Sequence, residues 1–320
     1  MLHESETFAD PHLESLLPPV KPSRRGFIAA SGAVGFALAA GPLNAQALIT
    51  TSAEGLDVAD IKVAVQGGDM PAYMAAPAAA GRYPVVIVVP EVFGMHEYQK
   101  DICRRLAKAG YVGVSLDPFF RMGDLSKMTV IGDVVAAANK LEDKQMLADM
   151  DSLLDQATKS SKVNADKVGV TGMCRGGRSV WMYTAHSKRV KAGVSWYGGL
   201  NAMPPAMPAT PVDVVGTLNA PVLGLYAGAD GGIPQAAVDK LVDSLKSGSA
   251  SAKASKIIVY PDVPHPSMPT IARATAKRRL RRGGKKCWPG SSSTGWPERQ
   301  AMGKAGCLRL APPLQRSERA

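Results

Sequence analysis

The segment 171–178, Thr-Gly-Met-Cys-Arg-Gly-Gly-Arg, places Cys174 between two glycines directly after the apolar run 168–170. A cysteine that only fills a core does not need glycines two positions to either side. A nucleophile on a sharp turn between a strand and a helix does, because side chains at those positions would collide with the two flanking elements. The spacing therefore predicts that Cys174 is a nucleophile in the position that serine takes in Gly-x-Ser-x-Gly.

A nucleophile of this kind needs a general base, and the base needs a group that orients it. His265 lies just after the last strand predicted in the body of the chain, and Asp230 lies just after the predicted strand 222–226. The order nucleophile, acid, histidine is the order of the α/β-hydrolases. We therefore predict a triad of Cys174, Asp230 and His265.

Other polar residues offer weaker alternatives. His96 could line the cleft, whereas His186 is expected to be a solvated residue at a helix end. Asp262 is nearer to His265 in sequence, but two residues three positions apart on one loop orient a ring poorly, and we expect Asp262 to cap the turn. The side chains of Arg175 and Arg178, at the start of a predicted helix, are expected to be solvated.

The elements that must position these residues alternate between strands and helices from Leu48 onward. The segments 61–65 and 71–75 predict a hairpin, and the almost wholly apolar run 83–90 predicts a strand buried on both faces. Such alternation predicts an α/β fold with an open, mostly parallel sheet that helices cover on both faces, and its chemistry at the carboxyl ends of the strands. The other predicted elements are strands at 112–116, 167–171, 192–196, 222–226 and 257–260 and helices at 97–109 and 133–158.

The N-terminal segment has the features of a twin-arginine signal peptide. Arg24 and Arg25 precede a weakly apolar stretch rich in Gly and Ala, and the small-residue motif 45–47 follows it. The stretch is shorter than the roughly 20 residues that a membrane span needs. We therefore predict a signal peptide over 1–47, cleavage after Ala47, passage through the twin-arginine export machinery, and a periplasmic protein without stable membrane insertion.

The charge of the chain is unevenly distributed. The formal net charge of +11 lies wholly in residues 266–320, and the rest of the chain is balanced, so the body lacks the basic surface of a nucleic-acid-binding protein. Outside that tail the only cysteines are Cys103 and Cys174, too few for a disulfide framework. The sequence contains no metal-ligand cluster, phosphate loop or dinucleotide fingerprint, so we predict no cofactor, no metal and no nucleic-acid partner.

Four motifs occur together in an order that resembles a known family. They are the segments 89–94, 171–178, 226–230 and 260–265. Together they resemble the dienelactone hydrolases, or carboxymethylenebutenolidases, over roughly residues 55 to 265, and the cysteine nucleophile makes the resemblance specific. The resemblance implies an α/β-hydrolase domain over 48–265 and hydrolysis of lactones or carboxylic esters through a cysteine acyl-enzyme.

The resemblance also implies roles for five further groups. The glutamate that corresponds to Glu91 would hydrogen-bond the resting thiol and help to deprotonate it. The backbone N–H groups of Val92 and Arg175 would bind the oxyanion. Arg121 would be the first of the arginines that clamp a substrate carboxylate, and Tyr197 would be a pocket tyrosine.

The tail 266–320 departs from the family, which continues with an arginine-rich loop and a closing helix. The tail has clustered basic charge and no amphipathic pattern, as a disordered basic tail would. However, a shift of the reading frame by one base near Pro266 permits a sequence like the family's loop. In the shifted frame the codons of residues 285–289 encode Leu and Ala whichever synonymous codons are used. We therefore interpret the tail as a frameshift product that is disordered and lacks the closing helix. The alternative for function is then a catalytically impaired hydrolase with no role or only a binding role.

Overall fold

The computed structural model describes residues 51–265. The predictions for the signal peptide 1–47, for the tail 266–320 and for the loss of the closing helix lie outside these residues. Within them, the sheet has eight strands in the order β1-β2-β4-β3-β5-β6-β7-β8. The strands are β1 Leu56–Val65, β2 Gly68–Pro77, β3 Tyr83–Val89, β4 Val112–Leu116, β5 Val163–Met173, β6 Val190–Trp196, β7 Val222–Ala229 and β8 Lys256–Pro264.

The predicted mostly parallel sheet is confirmed. β1 and β2 form the predicted hairpin, which pairs antiparallel with β4, and the six strands from β4 to β8 in the sheet order run parallel. The run Val85–Val89 of β3 is buried along its whole length, as expected for a central strand covered on both faces. The carboxyl ends of β3, β5, β7 and β8 therefore lie along one edge of the sheet.

Six helices accompany the described strands. The strand order reverses at β3, since one connection runs from β3 to β4 and the next crosses back to β5. Right-handed crossovers then place α1 on one face of the sheet and α3 and α4 on the other. No helix between residues 51 and 265 combines the length and the apolar character that a membrane crossing requires. The helices are α1 Glu97–Lys108, α2 Ile131–Ala138, α3 Asp143–Thr158, α4 Arg175–His186, α5 Gln235–Ser247 and α6 Ala250–Ala254.

The single long helix predicted over 133–158 is wrong, because the segment forms α2 and α3 with a turn between them. Asn139 ends α2, and Leu141 turns into the core, where it is 2% exposed. The N–H of Asp143, the first residue of α3, donates to the carbonyl of Ala206 at 3.1 Å. Burial of Leu141 and this long-range bond stabilise a turn that helical periodicity alone does not reveal.

Candidate active site

Cys174 occupies a sharp corner between β5 and α4. Its backbone has φ 51° and ψ −115°, a left-handed conformation that is unfavourable for a residue with a side chain. The N–H of Cys174 donates to the carbonyl of Trp196 at 3.0 Å, which ties the corner to the neighbouring strand β6. Such strain, typically about 1–3 kcal/mol, persists only where the surroundings hold it. The corner thus has the strand–turn–helix geometry of a nucleophile elbow.

The two glycines around Cys174 are required by packing, as the sequence predicts. A Cβ on Gly172 would lie 2.5 Å from the carbonyl oxygen of Gly176. A Cβ on Gly176 would lie 2.3 Å from the carbonyl oxygen of Val89 and 2.6 Å from that of Pro90. These atoms belong to the backbone and cannot rotate away. The start of α4 therefore packs directly on the end of β3.

Gly176→Ala is expected to destabilise the protein by about 2–3 kcal/mol, because the new methyl group forces α4 away from β3. Gly132→Ala is the matched control, since Gly132 is also the second residue of its helix and a Cβ there meets no described atom within 4 Å. The control should be neutral or stabilising by up to about 1 kcal/mol. Urea unfolding followed by circular dichroism measures both. Equal losses in the two variants would contradict the packing argument.

The structure brings His265 and Asp230 together at the carboxyl ends of β8 and β7. Nδ1 of His265 and Oδ2 of Asp230 are 2.6 Å apart, and both residues are buried. The other carboxylate oxygen of Asp230 accepts the N–H of Gly232 at 3.0 Å, which fixes the orientation of the carboxylate. The Cys174 thiol acts on the same ring, since it contributes to the raised pKa of His265. The three predicted triad residues are therefore connected in the predicted order.

The electrostatics of this connection favour a protonated imidazole. Burial by itself lowers the pKa of His265, but the hydrogen bonds to Asp230 and Cys174, together with their charges, outweigh burial and raise the pKa to about 10. The neutral imidazole can therefore accept the thiol proton and hold it as a stabilised imidazolium at neutral pH. The arrangement can therefore supply a sulfur nucleophile and a general base.

None of the alternative residues takes the place of a triad member. Asp262 is exposed on β8, and Asp230 is the residue that orients His265. His186 is the last residue of α4, and its exposed ring pairs with Asp151 at 2.7 Å. His96 is in the site region, since its Nε2 lies 2.7 Å from Oε1 of Glu91.

Glu91 has different partners from those implied by the family resemblance. Its Oε1 pairs with Nε2 of His96 at 2.7 Å, and its Oε2 accepts the Nε2–H of Gln99 at 2.5 Å. Between residues 51 and 265 no hydrogen bond joins Glu91 to Cys174. Two donors on the first turn of α1 occupy the carboxylate. This use of His96 and Gln99 was not predicted from the sequence, although the three-residue spacing of a helix capping box after Glu91 is a signal for it.

The two predicted oxyanion donors lie on segments that contact each other. Val92 is buried just after the end of β3, and Arg175 is the first residue of α4. Gly176 holds these segments together through its contacts with the carbonyls of Val89 and Pro90. The binding of an oxyanion by the N–H groups of Val92 and Arg175 stays a prediction.

Tyr197 lies beside the triad, as a pocket residue should. It follows β6 with φ 39°, and its buried ring packs edge-on against the ring of His265 with 5.1 Å between centroids. Burial, together with the nearby negative charge of Glu91, raises the pKa of Tyr197 well above its ordinary value. Tyr197 therefore presents a neutral phenol to the site.

Arg121 is bound by the protein itself. Its guanidinium donates to both carboxylate oxygens of Asp149, at 2.8 and 2.9 Å, and to the carbonyl of Gln66, at 2.5 and 2.8 Å. Asp149 is fully buried on α3. Arg121 therefore links that helix to the β1–β2 turn, which contains Gln66. A clamp on a substrate carboxylate would have to exchange these bonds. The clamp role of Arg121 stays a prediction without support from these contacts.

The expectation that the side chains of Arg175 and Arg178 are solvated is wrong, because both are buried. Arg178 donates to both carboxylate oxygens of Asp143 at 2.5 and 2.8 Å, and Arg175 donates to the carbonyl of Leu141 at 2.9 Å. Burial and the neighbouring Arg178 lower the pKa of Arg175 to about 10. The turn between α2 and α3 covers the start of α4, which explains the burial.

Comparisons with known proteins agree with this fold. The sequence profile of the dienelactone hydrolase family matches residues 70–276. A carboxymethylenebutenolidase homologue from Methylorubrum extorquens is 44% identical over 261 residues, which are 81% of this chain and 89% of the relative. A homologue from Escherichia coli K12 is 41% identical over 237 residues, covering 72% of this chain and 84% of the relative.

A solved structure supports the same assignment. The crystal structure of a dienelactone hydrolase homologue from Klebsiella pneumoniae superposes with a TM-score of 0.64 at 35% identity. The match covers 70% of this chain and 97% of that protein. The chain therefore belongs to the dienelactone hydrolase family and has its α/β-hydrolase fold.

Proposed function

We propose that this protein hydrolyses lactones or carboxylic esters through a thioester on Cys174. Membership of the dienelactone hydrolase family supports a hydrolase that acts on such bonds. The observation that carries the mechanism is the position of His265, which bonds to Asp230 at 2.6 Å and whose pKa is raised by the thiol at the strained elbow. A nucleophile, a base and an orienting carboxylate in this arrangement are what acyl transfer requires.

In the acylation half of the reaction, His265 accepts the thiol proton and the sulfur of Cys174 attacks the substrate carbonyl. The carbonyl π electrons move to its oxygen, and the N–H groups of Val92 and Arg175 stabilise that oxyanion. One such donor contributes about 3–4 kcal/mol where mutation has tested it. When the carbonyl reforms, the bond to the ester or ring oxygen breaks, and the imidazolium of His265 gives its proton to the leaving oxygen.

In the deacylation half, water replaces the alcohol. His265 removes a proton from the water, whose oxygen attacks the thioester carbonyl. Collapse of the second tetrahedral intermediate breaks the carbon–sulfur bond, and the proton returns from His265 to the thiolate. The product of a lactone is a hydroxy acid, and the product of an ester is an acid and an alcohol. Asp230 keeps the ring of His265 in one orientation through both halves.

We also propose the export route that residues 1–47 predict. The paired Arg24 and Arg25 and the small-residue motif 45–47 support twin-arginine transport to the periplasm with cleavage after Ala47. The proposed frameshift in the tail 266–320 rests likewise on sequence alone.

The test is turnover of a panel of unsaturated γ-lactones and p-nitrophenyl esters by the purified full chain. Rapid acid quench followed by peptide mass spectrometry should find the acyl group of the substrate on the Cys174 peptide. A matching amide serves as the control and should react far more slowly, because its leaving group is poorer. A protein that turns over neither lactones nor esters and carries no acyl group would overturn the proposal.

A further inference from the structure

We propose that His96 is a positioning residue, which together with Gln99 holds the carboxylate of Glu91 on the first turn of α1 and away from Cys174. The thiol is thereby left to pair with His265. This inference rests on the proposed function in one respect only, namely that Cys174 is the nucleophile.

The hydrogen bonds around His96 determine which ring nitrogen carries the proton in the neutral ring. His96 is the N-cap residue of α1, and its Nδ1 accepts the backbone N–H of Tyr98 at 3.4 Å. A nitrogen that accepts cannot also carry the proton, so the proton lies on Nε2. Nε2 then donates to Oε1 of Glu91 at 2.7 Å. Capping of the helix therefore orients the imidazole toward Glu91.

Gln99 completes the same arrangement from the other side. Its Oε1 accepts the backbone N–H of His96 at 3.2 Å, which closes the capping box, and its Nε2–H donates to Oε2 of Glu91 at 2.5 Å. Each carboxylate oxygen of Glu91 thus has one donor from α1. A single local motif fixes both donors, so the carboxylate has one preferred direction.

The charges around His96 keep this contact over a wide pH range. Burial lowers the pKa of His96, but the hydrogen bond and charge of Glu91 and the nearby carboxylates outweigh burial and raise it. Those carboxylates are Asp117 at the end of β4 and Glu97 on α1, and Tyr98 stacks beside the ring. Nε2 carries a proton in both the neutral and the charged ring. The donation to Glu91 therefore survives protonation, whereas the acceptance from Tyr98 does not.

Release of Glu91 would affect the thiol because the segments that carry the two groups are in contact. The segment before Glu91 is packed against the start of α4 at Gly176, and the ring of Tyr197 experiences the charges of both Glu91 and Cys174. A carboxylate that turns toward a thiol disfavours its ionisation through like-charge repulsion. By holding Glu91, His96 protects the pairing of Cys174 with His265.

The experiment follows alkylation of Cys174 by iodoacetamide in the full chain, with the modified Cys174 peptide quantified by mass spectrometry. His96→Asn is the informative variant, because asparagine caps a helix well but is too short to reach Glu91. We expect alkylation near neutral pH to slow by about tenfold, which corresponds to a shift of the alkylation midpoint by about one pH unit. In a Glu91→Gln background the same substitution should have no further effect.

Two results would overturn the proposal. One is alkylation of His96→Asn at the wild-type rate. The other is a slowing by His96→Asn that is equally large in the Glu91→Gln background, because a role that does not act through Glu91 would be additive. His96→Gln should restore the donor and the wild-type rate. His186→Asn, at the exposed end of α4, is the control and should change nothing.

This test is independent of turnover. Alkylation requires only a reactive thiol, so an enzyme that fails on every lactone and ester still reports on His96. Conversely, active enzyme with unaffected alkylation in His96→Asn would leave the proposed function intact and remove the positioning role. The alkylation rates are compared only among variants whose thermal unfolding shows a folded protein.

Discussion

Cys174→Ala is expected to abolish lactone and ester hydrolysis, with kcat falling by about 10⁴-fold or more. The acyl group has no sulfur to which it can bond, and the site that remains supplies only His265 and the oxyanion donors. The elbow should still form, because Cys174 is held by its backbone N–H to Trp196 and by the glycines around it. Steady-state kinetics and the acyl-adduct assay both measure the loss.

Cys103→Ala is the matched control for this prediction. Cys103 is the other cysteine in the described residues, and it is completely buried on α1. Burial raises the pKa of the Cys103 thiol far above its ordinary value, so the group stays protonated and unreactive. The control should keep its turnover. Substantial hydrolysis by Cys174→Ala would show that the reaction does not pass through this sulfur.

Asp230→Asn is expected to lower kcat by about 10²–10⁴-fold at neutral pH. The carboxylate accepts from Nδ1 of His265, and its replacement by an amide that donates to Nδ1 moves the ring proton to Nε2, where it cannot accept from the thiol. The loss of the negative charge also removes the main support of the imidazolium. Asp262→Asn is the control, because Asp262 is exposed and three residues from His265.

The pH dependence of this variant follows from the sign of the shift. The pKa of His265 is raised to about 10, so the stability that it contributes is fully present below its ordinary value of roughly 6.5 and is lost as the pH rises through about 10. The difference in unfolding free energy between wild type and Asp230→Asn should therefore be largest near pH 6 and shrink toward pH 10. A difference that grows with pH would contradict the assignment.

The activity of Asp230→Asn should increase with pH, whereas the stability difference from wild type decreases. Without the carboxylate, the imidazolium no longer persists at neutral pH, and the thiol must ionise by itself, which ordinary thiols do near pH ~8.5. The residual activity of Asp230→Asn should consequently rise as the pH increases from neutral toward about 8.5. Rates measured in a constant-ionic-strength buffer series test this, and a flat profile would oppose it.

The sequence by itself determined the sheet, the sharp corner at Cys174 and the positions of Asp230 and His265 after their strands. These depend on contiguous residues, since the apolar run of β3 and the spacing of Gly172, Cys174 and Gly176 are read directly along the chain. Asp230 and His265 are far apart along the chain, but each follows a predicted strand, and the carboxyl ends of parallel strands share one edge of a sheet. Local pattern and the general topology of parallel sheets were sufficient for this part of the site.

Only the tertiary structure decided the partners of the charged residues. Arg121 pairs with Asp149, 28 positions away, and Arg178 pairs with Asp143, 35 positions away. Pairs of this kind depend on how separate elements pack, and a surface arginine and a buried one look alike in sequence. This explains why the sequence led to a solvated Arg178, to an Arg121 that clamps a substrate carboxylate and to a single helix across the turn between α2 and α3.

Glu91 illustrates the division between what the sequence determines and what the tertiary structure decides. The family resemblance implies a carboxylate that hydrogen-bonds the Cys174 thiol, whereas the structure places Glu91 just after β3 with other partners. The direction of its carboxylate depends on His96 and Gln99, whose side chains are oriented by the first turn of α1. Sequence specifies which groups reach the edge of the sheet, whereas the packing of α1 against that edge specifies which of them touch.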